Sequence, residues 1–180
     1  VQRLNMDVRF LEQHNLGPAA ARNLGIRNAA GELIAFLDVD DLWPRDTLAA
    51  LAERLAERPE LDIVQGHGQL VRTDGTDGAP EFIGSAGESF PYYIGAALYR
   101  RRAFEQVGLF DPELRFGEDT DWFVRAHEKG LGIEKLDRVT LLVRRHDANM
   151  TKSRTLQELG ALRVFKKALD RKRVQDTNRG

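Results

Sequence analysis

The stretch IAFLDVDDLWP, Ile34 to Pro44, constrains the fold more than any other part of the chain. An apolar run of strand length ends in the carboxylates Asp38, Asp40 and Asp41. A near-continuous apolar strand is one covered on both faces, as central strands of α/β sheets are. In open parallel sheets ligands sit outside the carboxyl ends of the strands, which is where these acids fall. Side chains alternate along an extended chain, so Asp38 and Asp40 are expected to point the same way. Two convergent carboxylates repel unless a cation stands between them. A hard divalent ion, Mg²⁺ or Mn²⁺, removes that repulsion because it takes oxygen ligands and also bridges phosphates. The plainer role for an acid here is to cap the following helix, and Asp41 or Asp46 fits it. Capping suits Asp46, but it needs one acid and does not account for the pair Asp38 and Asp40.

The flanking segments supply the rest of a fold. Val8 to Glu12 reads as a short strand and Ala19 to Ala30 as an Ala-rich helix stopped by Gly31. Leu33 to Asp38 is the strand that ends in acids. A helix opens at Pro44 and Asp46 and runs to about Arg58, with Leu48, Leu51 and Leu55 at helical spacing. Pro59 ends it, and Leu61 to Val71 follows as a strand. Alternating strands and helices predict an α/β domain on a parallel sheet. Thr73 to Ser89, rich in Gly, Asp and Ser, reads as a loop and a candidate lid. Beyond it come a strand at Tyr93 to Arg100 and helices at Arg101 to Val107 and Thr120 to Lys129. A strand at Val139 to His146 and a charged helix at Thr155 to Lys172 complete the reading. The 180 residues suffice for one domain with a core. A net charge of −1 gives no bulk attraction to nucleic acid or membrane. The absence of cysteine removes disulfides and thiolate metal sites and suits a reducing compartment. No apolar run approaches the roughly 20 residues of a membrane span.

A second acidic group lies in FGEDTDWF, with Glu118, Asp119 and Asp121 at a helix start. The apolar neighbours Phe116, Trp122 and Phe123 would desolvate a carboxylate and raise its pKa, which suits a general base. Helix N-termini also favour acids through the dipole, and Asp121 reads as such a charge. Trp122 reads either as the wall of a pocket or as core. His146, in RRHDANMTKS after an apolar strand, is a candidate metal or phosphate contact or a surface residue. Arg144 and Arg145 alternate in direction, so one of them can face an anion.

NLGPAAARNLGIRNAAGELIAFLDVDDLWPRDTLAAL, YYIGAALYRRRAFEQVGLFDPELRFGEDTDWFVRAHEKG and VRRHDANMTKS together resemble family 2 glycosyltransferases, inverting enzymes of GT-A type. The resemblance runs from about residue 8 to 155. It implies a mixed, mostly parallel sheet with flanking helices. It also implies an N-terminally incomplete domain over residues 1–155 and a charged tail over 156–180. The chain starts at what would be the family's third strand, without the family's opening apolar strand and its VDDGS-like segment. By the resemblance, Asp119 is the catalytic base with Glu118 beside it. Arg22, Asn23, Asp38, Asp40 and His146 contact the nucleotide sugar. Asp38, Asp40 and His146 hold the divalent metal, and Trp122 lines the acceptor pocket. The implied partners are a UDP-sugar and a carbohydrate or lipid-linked acceptor, in polysaccharide biosynthesis, with no nucleic acid. The basic helix Arg163 to Arg173 is either a solvated face or a peripheral membrane contact, so the expected location is the cytoplasm, including the inner face of the membrane. The sheet edge left by missing strands is a route to homo-oligomers. Two rivals remain: a binding module without catalysis, and a nucleotidyltransferase, which would want a Gly- and Lys-rich phosphate loop near the N-terminus.

Overall fold

Ile63 to Arg72 forms the longest inner strand among the described residues, and the other strands are arranged around it. The structure, a computed structural model, describes residues 8–72, 81–85, 92–145 and 161–177. In chain order the elements are α1 (Pro18–Asn28), β1 (Leu33–Ala35), α2 (Thr47–Glu57), β2 (Ile63–Arg72), β3 (Glu81–Ile83) and β4 (Ala97–Arg100). They continue with α3 (Arg101–Val107), α4 (Glu118–Glu128), β5 (Ile133–Arg144) and α5 (Ala161–Thr177). One edge of β2 pairs antiparallel with β4 through Ile63–Gln65 and with β3 through Leu70–Arg72. Its other edge pairs parallel with β5 along nearly its whole length. β1 lies outside β4, antiparallel to it.

The sheet is mixed and flanked by helices, as expected, but its antiparallel share is larger than the alternation of strands and helices suggested. β1 and β2 do run parallel to each other. β4 is inserted antiparallel between them, so the two are not neighbours.

Alternation along the strands divides the core in two. Ile63, Ala97 and Tyr99 face one side with α1, α3 and α4, where Phe36, Tyr99, Phe104, Phe110, Trp122 and Phe123 pack ring against ring. Val64 and Leu98 face the other, against Leu51 and Leu55 of α2. Each buried aromatic removes roughly 150–250 Å² from water, so the first side dominates the apolar burial.

β2 carries two glycines where a side chain would collide. A Cβ on Gly66 would lie 2.4 Å from Thr140 Cγ2, and one on Gly68 would lie 2.4 Å from the Tyr93 ring. The register between β2 and β5 shifts at this point, around His67. From the end of β4 into α3, Arg100 donates to the Leu55 and Leu61 carbonyls, Arg101 to those of Ala29 and Gly31, and Arg102 to those of Pro59 and Leu61 and to the Asp62 carboxylate.

Several expectations are corrected. Val8 to Glu12 is not a strand; Val8 and Phe10 are exposed, and no described strand lies beside them. β1 ends at Ala35, not Asp38. β5 begins at Ile133, because Lys135, Asp137 and Arg138 are exposed and give the strand a polar look. Glu81–Ile83 forms a strand inside the expected loop, whose flanks 73–80 and 86–91 lie outside the described residues, as does any lid they would form. α5 packs on the body through Val164, with Lys167 paired to Asp111 and Glu113 and Arg171 paired to Asp121 and Glu128. No helix among the described residues is long and apolar enough to cross a membrane.

Candidate active site

The chain leaves β1 at Ala35 and reaches Asp38 through an unpaired segment in which Phe36 buries its ring against Tyr99, Phe104 and Phe110. Residues 38–41 then close a turn in which the Asp41 amide donates to the Asp38 carbonyl at 3.0 Å. The acids thus sit in a turn rather than an extended strand, so alternation does not set their direction. The turn is anchored on β5. Leu42 and Leu142 exchange backbone hydrogen bonds of 3.0 and 2.8 Å. The Arg144 guanidinium donates to the carbonyls of Val39 and Asp40, and its amide donates to Asp41 Oδ1 at 3.2 Å. On the other side Trp43 Nε1 donates to the Gly95 carbonyl at 2.8 Å. Burial pushes the Asp41 carboxyl up to about 6, and Asp40 and Asp38 push the same way against the Arg144 amide.

Across from the turn, Gly117 adopts φ 76°, which a residue without Cβ reaches at no steric cost, and α4 starts at Glu118. Glu118 is buried. Asp119, partly buried, accepts the Thr120 amide at 2.7 Å. Desolvation and the neighbouring Glu118 charge push its carboxyl up to about 6, opposed by that hydrogen bond and by Arg22.

One side chain joins the two acidic groups. Arg22, on α1, has one terminal nitrogen 3.0 Å from both oxygens of Asp38 and the other 2.6 Å from Glu118 Oε1. The arginine and Glu118 side chains are 12% and 9% exposed, while Asp38 is 50% exposed, so the bridge runs from the interior to solvent. α1 is held in this position by the next residue. Asn23 is buried, donates to the Phe110 carbonyl at 2.8 Å and accepts the Phe110 amide at 2.9 Å.

The structure brings Arg22, Asp38, Glu118 and Asp119 to one site, with Asp40 on the same turn as Asp38. It removes two residues from the expected set. Asn23 is a core residue committed to Phe110, so it does not contact the nucleotide sugar. Trp122 is fully buried among Tyr99, Phe104 and Phe110 and donates to the Gly108 carbonyl at 2.8 Å, so it is core and not the acceptor wall. His146 lies outside the described residues. Asp46 does stand at the N-cap of α2, but in a left-handed conformation (φ 63°) and without a side-chain capping bond. Asp121 lies in the first turn of α4, as a helix-start charge does, but that is not its whole role. It is buried between Arg125 at 2.8 Å and Arg171 at 3.0 Å. The clamp made by Arg144 was only half visible in the sequence: alternation at a strand end singles out one arginine, but nothing local says that it grips the turn a hundred residues earlier.

The donor chemistry at the turn fits a divalent ion. Mg²⁺ and Mn²⁺ sites that serve phosphates often use only one or two carboxylates and leave the remaining positions to water and substrate. Asp38 and Asp40 supply carboxylates of that number on one turn. Among the described residues no group of three or more potential ligands gathers anywhere, so a ready-made protein cage is absent.

An α/β sheet with helices on both faces and an acidic turn past a strand end belongs to a wide class of nucleotide-handling folds. Comparison with known proteins narrows it. Residues 1–108 match the model of glycosyl transferase family 2, and the chain belongs to that family. It is 30% identical over 161 residues to the uncharacterized glycosyltransferase EpsJ of Bacillus subtilis, covering 80% of this chain and 46% of that protein. It is 25% identical over 130 residues to the minor teichoic acid biosynthesis protein GgaA of the same organism, covering 65% of this chain and 29% of that protein. The chain thus spans less than half of each of these relatives. Among solved structures, S. aureus TarS superposes with a TM-score of 0.56 at 22% identity, over 75% of this chain and 25% of that one. The mannosyltransferase PcManGT from Pyrobaculum calidifontis, in complex with GDP-Man and Mn²⁺, gives 0.51 at 23% identity, over 70% of this chain and 36% of that one. These likenesses confirm the GT-A fold.

Proposed function

We propose that the chain transfers a sugar from a nucleoside-diphosphate sugar to an acceptor hydroxyl in a single displacement that inverts the anomeric centre. The acceptor oxygen forms the new bond to the anomeric carbon while the bond from that carbon to the diphosphate oxygen breaks. The nucleoside diphosphate leaves with the bonding electrons, and the acceptor proton passes to the Asp119 carboxylate. The observation that carries this reading is Asp119 itself: a partly buried carboxylate at a helix start, pushed up to about 6, next to Glu118, which Arg22 links to the acidic turn. A base with such a value is largely ionised at neutral pH and still basic enough to take a proton. Glu118, held by Arg22, positions the acceptor. Asp38 and Asp40 would hold a divalent ion, which would offset negative charge on the departing diphosphate.

A UDP-sugar is the proposed donor and a carbohydrate or lipid-linked alcohol the acceptor. A solved TarS structure carries UDP, and the name of GgaA places it in teichoic acid synthesis. α5 supports a location at an anionic membrane surface: Leu162, Phe165 and Leu169 form an exposed apolar stripe flanked by Lys166, Lys172 and Arg173. Sedimentation with anionic vesicles, lost in Phe165→Glu, tests that location. The transfer reading is tested by incubating the protein with a panel of nucleotide sugars and Mn²⁺ and measuring nucleoside diphosphate release with and without candidate acceptors. Release that an acceptor stimulates is the expected result. No release from any sugar nucleotide, by this chain or by a longer form extended upstream, would overturn the reading.

A further inference from the structure

Arg22 occupies the position of a cation. Its guanidinium faces both oxygens of Asp38 at 3.0 Å, the carboxylate assigned above to the metal, and holds Glu118 at 2.6 Å with its other nitrogen. Asp38 is half-exposed, so a hydrated ion can reach it. A divalent ion and a guanidinium cannot share the same two oxygens without strong repulsion between their charges. The geometry points to Arg22 as a built-in counter-ion that holds Asp38 until a divalent ion displaces it, and so couples ion binding on the donor side to Glu118 on the acceptor side. The inference rests on the glycosyltransferase reading of the site.

The physical consequences are specific. Without Arg22, the carboxylates Asp38 and Asp40 on one turn would repel in the free protein. With Arg22 in place the turn is partly neutralised, and the ion must expel a cation before it binds. Bare metal therefore binds weakly. An ion arriving with a diphosphate binds better, because the phosphates bring negative charge that both the ion and the displaced guanidinium can contact. Once released from Asp38, the guanidinium retains its bond to Glu118, which lies further inside and is held at the shorter distance. Arg22 is a positioning residue here, acting through Asp38 and Glu118.

The test is a Mn²⁺ titration of the 180-residue chain followed by electron paramagnetic resonance, with no nucleotide and no sugar present. Arg22→Gln removes the competing charge but leaves Glu118 buried without a partner. The double variant Arg22→Gln/Glu118→Gln removes that burden and guards against a folding defect. Both variants are expected to bind Mn²⁺ on the order of tenfold more tightly than the parent. Asp40→Asn in the double-variant background should abolish the gain. Affinity that is unchanged or weaker in the double variant, with its thermal transition intact, overturns the inference. A purely structural role for Arg22 predicts that weaker binding, because the turn would lose a support. The titration involves no sugar transfer, so it fails or succeeds independently of the donor screen.

Discussion

Glu118 and Asp119 are neighbours in sequence with opposite circumstances. Glu118 has a guanidinium at 2.6 Å; Asp119 makes no ion pair among the described residues and is bonded by the amide and hydroxyl of Thr120. Glu118 is committed to that guanidinium, whereas the Asp119 carboxylate is not. A carboxylate that is desolvated beside another acid is a better proton acceptor. Asp119→Asn is expected to leave nucleotide affinity intact and reduce transfer by roughly 100- to 10,000-fold. Steady-state kinetics alongside calorimetry with the nucleotide checks this, and transfer within a few-fold of the parent would assign the base elsewhere. The same carboxyl sets a pH profile. Transfer needs it ionised, so kcat/KM should fall as pH drops through about 6 and level off above it. A profile flat down to pH of about 5 would show that this group does not limit the reaction.

At the scale of elements, Asp121 joins three helices. It orients Arg125, which donates to the Val107 and Leu109 carbonyls at the end of α3, and it receives Arg171 from α5. Asp121→Asn leaves two arginines without their full charge partner in a buried place and should cost at least about 2 kcal/mol, measured by denaturant unfolding. In the parent background Arg171→Ala should cost less, since that side chain is more exposed. The second prediction at this scale concerns β2. Gly68→Ala forces a methyl into the Tyr93 ring and should destabilise by about 1–3 kcal/mol, while Tyr93→Ala in the same background should recover part of the loss. Asp121 and Trp122 show why local reading fell short. Asp121 has the sequence signature of a dipole charge because its decisive partner lies fifty positions away. The acids of the turn, by contrast, were legible because three carboxylates in four residues announce themselves without any distant contact. Trp122 read both ways because an aromatic beside acids is equally consistent with a pocket and with a core, and only burial decides.

For the molecule as a whole, local signals placed most helices and the central strands to within a few residues: the apolar spacing of Leu48, Leu51 and Leu55 for α2, alanine content and Gly31 for α1, and apolar runs for β2 and β4. They could not report which strands adjoin. Ile63 and Tyr99 pair across the sheet 36 positions apart, and strand direction follows from that pairing rather than from any local composition. The bridge from Asp38 through Arg22 to Glu118 is a similar long-range fact. Position in such a frame also sets how fast a backbone group meets solvent. Phe110 lies in the connection between α3 and α4, outside every helix and strand, yet its N–H is donated to the buried Asn23 side chain. Its deuterium uptake should therefore be as slow as that of β2, requiring the whole domain to open, while its loop neighbour Asp111 exchanges quickly. In Asn23→Ala the Phe110 amide should exchange at least about tenfold faster relative to the β2 amides, as measured by NMR. A connection that looks like a place for insertions would then carry the kinetic signature of the domain's most slowly opening part.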